Sequence, residues 1–261
     1  MANGKYRLAQ MSSPIMLKKG FETSNIEGEM NDSAPTWSPS SSIEDYLKAI
    51  WEVAGAGVAS TNDIAGRLFI APASVTNMFA RLQDMGLVEY KRYHGASLTK
   101  EGRSEALRLV RRHRLIETFL LEHLGYAWEE VHEEAERLEH AVSDEFTKRL
   151  ADFLGYPDRD PHGALIPAAD GSLEPEDSYP LDTAEVGERV RIARVDHREA
   201  TALNFLGERG LVPGELVEVR EVRILDGVIT LKDEGGITHS LGSSLAGSIF
   251  VQSPLEDSDR G

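Results

Sequence analysis

Histidine and glutamate recur at helical spacing in two stretches: His113-Arg114-Leu115-Ile116-Glu117, and His132-Glu133-Glu134-Ala135-Glu136-Arg137-Leu138-Glu139-His140. Residues three and four apart share a helix face. His113 therefore stands beside Glu117, and His132, Glu136, Glu139 and His140 line one side of a second helix. Imidazoles and carboxylates so placed on two helices point to a divalent-metal site. Taken singly they say little. A lone His113 or His132 is more often packed or solvated than a ligand, and a lone Glu136 or Glu139 usually solvates its helix. The constellation carries the expectation. The chain has no cysteine, so thiolate sites and disulfides are excluded and any metal must be held by nitrogen and oxygen.

The elements that must position these residues fit a chain of 261 residues, which suits two or three domains. Hydrophobic residues make up 41%, enough for real cores. No run of eighteen apolar residues occurs, so no membrane span is expected. No apolar h-region follows Met1, so no signal peptide is expected and the cytoplasm is the default location. The net charge of −16 looks wrong for a nucleic-acid binder, yet it is unevenly spread. Residues 42–125 hold 11 Lys/Arg against 10 Asp/Glu, whereas residues 126–185 hold 4 against 17. Most of that acid reads as a solvated helix face and a linker.

Upstream of the His/Glu stretches the pattern changes. Residues 1–41 lack periodicity and read as a disordered extension. A helix starts near Ser42, with Ile43, Tyr46, Leu47, Ile50 and Trp51 as its apolar stripe. Thr61–Leu68 is a short helix and 69–72 a turn. Ala73–Met85 is a second helix, with Val75, Phe79 and Leu82 inward and Ser74, Thr76, Asn77 and Arg81 outward. Thr61 faces outward on the first. Gly86 stops the second helix, and 87–99 alternates as a hairpin with a basic tip at Lys91 and Arg92. Helix-turn-helix followed by a small wing is a DNA-reading unit. An ordinary three-helix unit is the bland alternative, but the uninterrupted order of parts favours DNA binding.

A long helix follows from about Lys100 to Leu124, then another from about Ala127 to Leu154. The stripe of the latter, Val131, Ala135, Leu138, Val142, Phe146 and Leu150, suits a core or a subunit interface. Residues 156–182 are Pro/Gly/Asp-rich and read as a linker. From Thr183 to Gln252 short strands alternate with turns, which predicts a small β-barrel. The expected organisation is thus mainly α with a β C-terminal domain. It comprises a winged helix-turn-helix over 42–100, a helical domain with the candidate metal ligands and the core or interface stripe over 101–155, a linker over 156–182, a barrel over 183–252, and a tail over 253–261.

With "SIEDYLKAIW", "STNDIAGRLFIAPASVTNMFARLQDMGLVEY", "RRHRLIETFL", "VHEEAERLEHAVSDEFTKRL" and "DPHGALIP" in this order, the chain resembles the diphtheria toxin repressor family of metal-dependent transcriptional regulators. "LGERGLVPGELVEV" is similar to the SH3-like, or FeoA-like, domain of its longer members. The resemblance covers about residues 42–252. It implies a metal-loaded homodimer on a palindromic double-stranded operator. It also implies a primary site of Asp45, Glu136, Glu139 and His140, and an ancillary site of His113, Glu117 and His132. Glu199, with His197 nearby, is the match for a further ligand from the SH3-like domain, although Ala202 stands where a second would be expected. Iron-type members carry Met and Cys where this chain has Asp45 and Glu136. The harder carboxylates imply Mn(II), with Fe(II) also admissible. Lys48 stands where short manganese regulators have a bridging Glu, which implies two separated sites. His162 and His94 receive no metal role.

The expected mechanism is electrostatic. Asp45, Glu136 and Glu139 repel one another until a divalent cation ties the first helix to the dimerisation region and sets the spacing of the winged helices. Arg81, Lys91 and Arg92 would touch phosphates, and Ser74, Thr76 and Asn77 bases or backbone. A metal-dependent hydrolase is the alternative from another class. It would leave the winged helix unexplained, and no HExxH is present.

Overall fold

The computed structural model describes residues 41–196, 199–223 and 225–254. The expectations for 1–40, His197 and most of the tail fall outside them. Helix α1 (Ser41–Ala54) buries Ile43, Tyr46, Leu47 and Ile50, together with Glu44 and Lys48. Helix α2 (Thr61–Leu68) starts in a capping box, because Ser60 and Asp63 satisfy each other's backbone amides. Helix α3 (Pro72–Asp84) starts with Pro72 in its first turn, where a missing N–H costs nothing. Its inward residues are Val75, Phe79 and Leu82, as the spacing predicts. Strands β1 (Val88–Lys91) and β2 (Gly95–Leu98) pair antiparallel as the wing. One core joins α1, α2, α3 and the wing, with Phe79, Leu47, Ile50, Ile64 and Leu82 fully buried. Each such side chain contributes about 1.5–3 kcal/mol.

Helix α4 (Lys100–Leu124) is capped by the Thr99 hydroxyl and ended by Gly125 in a left-handed conformation. It packs on α1, on α5 (Val131–Leu138) and on α6 (Asp144–Phe153). The single helix expected over 127–154 is therefore two. Ser143 caps α6 by accepting from the Phe146 amide, and the unbroken apolar periodicity across 131–150 hid that stop. Arg112 of α4 spans the break, donating to the Glu139 carbonyl and to the Asp144 carboxylate.

The C-terminal unit is a six-stranded antiparallel sheet of β3 (Tyr179–Pro180), β4 (Arg189–Val195), β5 (Leu216–Arg223), β6 (Val228–Asp233), β7 (Thr238–Gly242) and β8 (Ile249–Gln252). The strand order is β3-β8-β4-β5-β6-β7, so the sheet is open rather than the closed barrel the sequence suggested. Helices α7 (Ala200–Gly207) and α8 (Ser243–Ala246) lie in its connections. Leu203 and Leu206 of α7 fill its core against Ile192, Val217, Val219 and Leu231.

The 156–182 segment, expected as a linker, is partly packed. Asp160, His162 and Ile166 are buried, and Arg111 and Arg114 of α4 donate to its Pro167 and Leu165 carbonyls. The Val195 amide of β4 donates to the His162 carbonyl at 2.8 Å. Gly163 makes that junction possible. Its φ is +87°, and a Cβ there would fall 2.1 Å from the Ala193 carbonyl oxygen. We expect Gly163→Ala to destabilise the protein by roughly 1–3 kcal/mol, from left-handed strain plus a backbone clash. Chemical denaturation checks this, and an unchanged unfolding midpoint would contradict it.

Candidate metal centre

The side chains singled out by spacing meet Asp45, which the resemblance adds, where α1, α4 and α5 join. Asp45 of α1 lies 2.8 Å from His140 Nε2. Glu139 Oε1 lies 3.6 Å from the same nitrogen. These three offer ligand atoms all within 4.8 Å of one another. His140 is oriented by its other ring nitrogen, 2.8 Å from Glu44 Oε2. A carboxylate behind an imidazole fixes the ring and presents Nε2 outward, as ligating histidines require. The break between α5 and α6 places His140 there, just past the end of α5.

His113 of α4 lies in the middle of the second part. Its Nδ1 is 2.5 Å from Glu139 Oε2, so its Nε2 faces the other way, 2.9 Å from Glu117 Oε1 and 3.0 Å from His132 Nδ1. His132 Nδ1 is itself 2.9 Å from Glu117 Oε1, which closes a compact triangle of three candidate ligands. The residues implied for the ancillary site are thus brought together. Glu136, implied for the primary site, falls instead into a group with His113 and His132. Its Oε1 lies 3.6 Å from His132 Nε2. Glu199 is exposed at the N-cap of α7 and belongs to none of the three potential ligand groups among the described residues.

The third group is Glu117, Asp160 and His162, all buried. His162 Nδ1 is 3.8 Å from Glu117 Oε1, and the His162 ring packs 5.0 Å from Trp128. The sequence marks no role for His162, because the Pro, Gly and Asp around it read as a linker. The "DPHG" motif was the available signal. A cleft of about 550 Å³ opens onto His113, Glu117, His132, Asp160 and His162, and another of about 660 Å³ onto Asp45, Lys48, Glu136 and His140.

The electrostatics follow from this crowding. Burial pushes the Glu117 carboxyl up, but His113 and His132 more than reverse it and hold Glu117 well below the usual range. Burial and the Lys48 charge push His113 down, yet Glu117 and Glu139 lift it to about 9. Hydrogen bonds to Asp45 and Glu44 raise His140 to about 10. Burial and the Glu117 charge raise Asp160 to about 7. Burial pulls Lys48 down, but Glu139 and Glu136 overcome it and leave it raised. The donors are nitrogen and carboxylate oxygen, converging from three helices, so they fit a divalent first-row cation.

Of the residues expected to meet DNA, Ser74, Asn77, Arg81, Lys91 and Arg92 are exposed on α3 and the wing. Thr61 and Thr76 are half-buried, and the Thr76 hydroxyl donates to the Pro72 carbonyl of its own helix. A winged helix joined through its first helix to a His/carboxylate centre defines a class: a DNA-binding protein with a metal-responsive joint.

Comparison with known proteins gives the family. "Iron dependent repressor, N-terminal DNA binding domain" matches residues 39–96. "Iron dependent repressor, metal binding and dimerisation domain" matches 99–168, and "FeoA domain" matches 179–253. An uncharacterised HTH-type transcriptional regulator of Methanocaldococcus jannaschii is 41% identical over 117 residues, 44% of this chain and 94% of that protein. The diphtheria toxin repressor of Corynebacterium glutamicum is 33% identical over 178 residues, 63% of this chain and 78% of that one. The structure of a manganese-dependent transcriptional repressor in complex with manganese is 37% identical with a TM-score of 0.76, covering 81% of this chain and all (100%) of that one. The chain belongs to the diphtheria toxin repressor family of metal-dependent transcriptional regulators. These are DNA-binding, dimerising repressors, not enzymes, which displaces the hydrolase alternative. No described helix is long and apolar enough to cross a membrane.

A ligating imidazole must offer a free lone pair, so metal uptake has to displace the protons that His140 and His113 hold at neutral pH. Divalent-metal binding near pH 7 should therefore release protons, and its midpoint should move to higher free metal as pH falls from about 8 to about 6.5. Calorimetry in buffers of different ionisation enthalpy measures the release. Uptake with no proton released would contradict the protonation assigned to both rings.

Proposed function

We propose that the protein is a Mn(II)-responsive repressor, with Fe(II) accepted by the same donors, that binds a palindromic operator as a cytoplasmic homodimer and governs metal-uptake genes. One observation carries this reading: Asp45, on the helix that supports the DNA-reading unit, converges with Glu139 and His140 of the neighbouring helical domain. When bound there, a divalent cation supplies positive charge to a cluster of carboxylates and joins the two domains. The chain's own residues do the rest. Glu44 holds the His140 ring and Arg112 holds the Glu139 backbone. Asp45 carries the state of the centre into α1, which packs against α2 and β2.

The Mn(II) preference is supported by the ligand set. Asp45, Glu136 and Glu139 are hard oxygen donors, with no thiol or thioether among the groups, and this suits Mn(II) over softer ions. We assign Asp45, Glu139 and His140 to the primary site, with Glu136 linked to Glu139 through Lys48. His113, Glu117 and His132 form the ancillary one, bordered by Asp160 and His162. The dimer seam fits α4 and α6. Phe153 packs 4.8 Å from His123 and 6.0 Å from Phe119, while Phe146, Phe153 and Tyr156 stay exposed on one chain. Ser74 and Asn77 of α3 would enter the major groove, with Arg81, Lys91 and Arg92 on phosphate.

The reading is tested by titrating Mn(II), Fe(II) and chelator against a promoter fragment bearing the operator. Glu139→Gln or His140→Ala should abolish metal-dependent DNA binding, a loss on the order of a hundredfold or more. His113→Ala should only shift the metal midpoint. Equal DNA affinity in chelator and in Mn(II) would overturn the proposal. A His113→Ala protein that fails at saturating metal, beside a His140→Ala protein that succeeds, would invert the two sites.

A further inference from the structure

One cation is already built into the centre. Lys48 lies three residues beyond Asp45 on α1 and is only 4% exposed. Its ammonium donates to both oxygens of Glu139, at 2.9 and 2.8 Å, and to Glu136 Oε1 at 3.0 Å. It also lies 3.1 Å from His113 Nδ1. Glu139 belongs to the Asp45–Glu139–His140 group, whereas Glu136 and His113 belong to the group with His132. The ammonium therefore stands between two candidate ion positions and holds oxygens that either ion would take.

An ammonium and a divalent ion satisfy a carboxylate in the same way, by positive charge close to oxygen. Because it is tied to α1, the Lys48 charge is present at high effective concentration. A metal that takes Glu136 Oε1 must displace Lys48 from it, and a metal that takes either carboxylate shares it with a cation that repels it. We propose that Lys48 is a tethered competitor for Glu136 and Glu139, and that it sets the free-metal concentration at which the centre fills. This rests on the metal-binding reading given above.

A plain structural role makes the opposite prediction. If Lys48 only clamps α1 to α5, removing it loosens Asp45 and weakens metal binding. If it competes, removing its charge strengthens binding. The test is Mn(II) binding to the full-length protein, followed directly by calorimetry with no DNA present. Lys48→Met keeps the apolar stem and drops the charge. It should bind Mn(II) roughly tenfold tighter or more, because a unit charge a few ångströms from a divalent ion is lost. Lys48→Arg, which restores a cation, should bring the midpoint back toward the wild-type value. Thermal unfolding adds a second readout. Without metal Lys48→Met should melt below the wild type, and Mn(II) should raise its midpoint by more than it raises the wild type's.

A folded Lys48→Met protein that binds Mn(II) no tighter than the wild type overturns the proposal and leaves the metal-binding reading intact. A wild-type protein that binds no divalent metal sinks both. If Lys48→Met does not fold, Lys48→Gln is measured in its place with the same expectation. If neither folds, Lys48 is a counter-ion needed for folding, and the competitor role is overturned.

Discussion

The Glu139 carboxylate is fully buried, and the meeting of three helices depends on how its charge is balanced. A buried, uncompensated carboxylate costs several kcal/mol, so its neighbours are fixed by that need. Lys48 comes from α1, His113 from α4, and His140 follows Glu139 along the chain. The backbone is held as well, since Arg112 donates to the Glu139 carbonyl. Burial pushes this carboxyl up, and the hydrogen bond from His113 and the Lys48 charge bring it back below its ordinary value. The repulsion expected among Asp45, Glu136 and Glu139 is therefore offset in part by the chain itself. Metal control then rests on a difference between two cations, one tethered and one supplied from solution.

The second constraint is the joint with the sheet domain. The 158–166 segment lies between α4 and β4, with Arg114 near Asp160 on one side and the Val195 amide bound to His162 on the other. Trp128 donates to the Pro161 carbonyl and packs against the core of the sheet domain. The Glu117–Asp160–His162 group thus sits where three parts of the chain meet. Two acids there, Glu117 and Asp160, share one buried space, and their effects divide accordingly: Glu117 is held ionised and Asp160 is pushed up.

Much of this was legible in the sequence. Thr61–Leu68 matches α2 to the residue, and Val75, Phe79 and Leu82 face inward as their spacing requires. His113, Glu117 and His132, grouped by the family resemblance, lie within 3.0 Å of one another. Other features were not legible. The stop between α5 and α6 was masked by an apolar stripe that keeps helical phase across it. The packed role of 156–166 was masked by Pro and Gly, which mark tight turns as readily as linkers. Strand β7 carries only two inward residues, His239 and Leu241, too few for an alternation signal. Glu136 shows a further limit: one helix face points at both groups, so spacing alone cannot divide ligands between them.

If Asp45 couples the metal centre to DNA binding, thermodynamic linkage exposes it. Operator affinity is measured with and without Mn(II), and Mn(II) affinity with and without operator. Thermodynamics requires the two ratios to agree. Both ratios should be large in the wild type and collapse toward unity in Asp45→Ala, even where that variant still binds metal through Glu139 and His140. An Asp45→Ala protein that binds Mn(II) and keeps the full ratio would contradict that coupling.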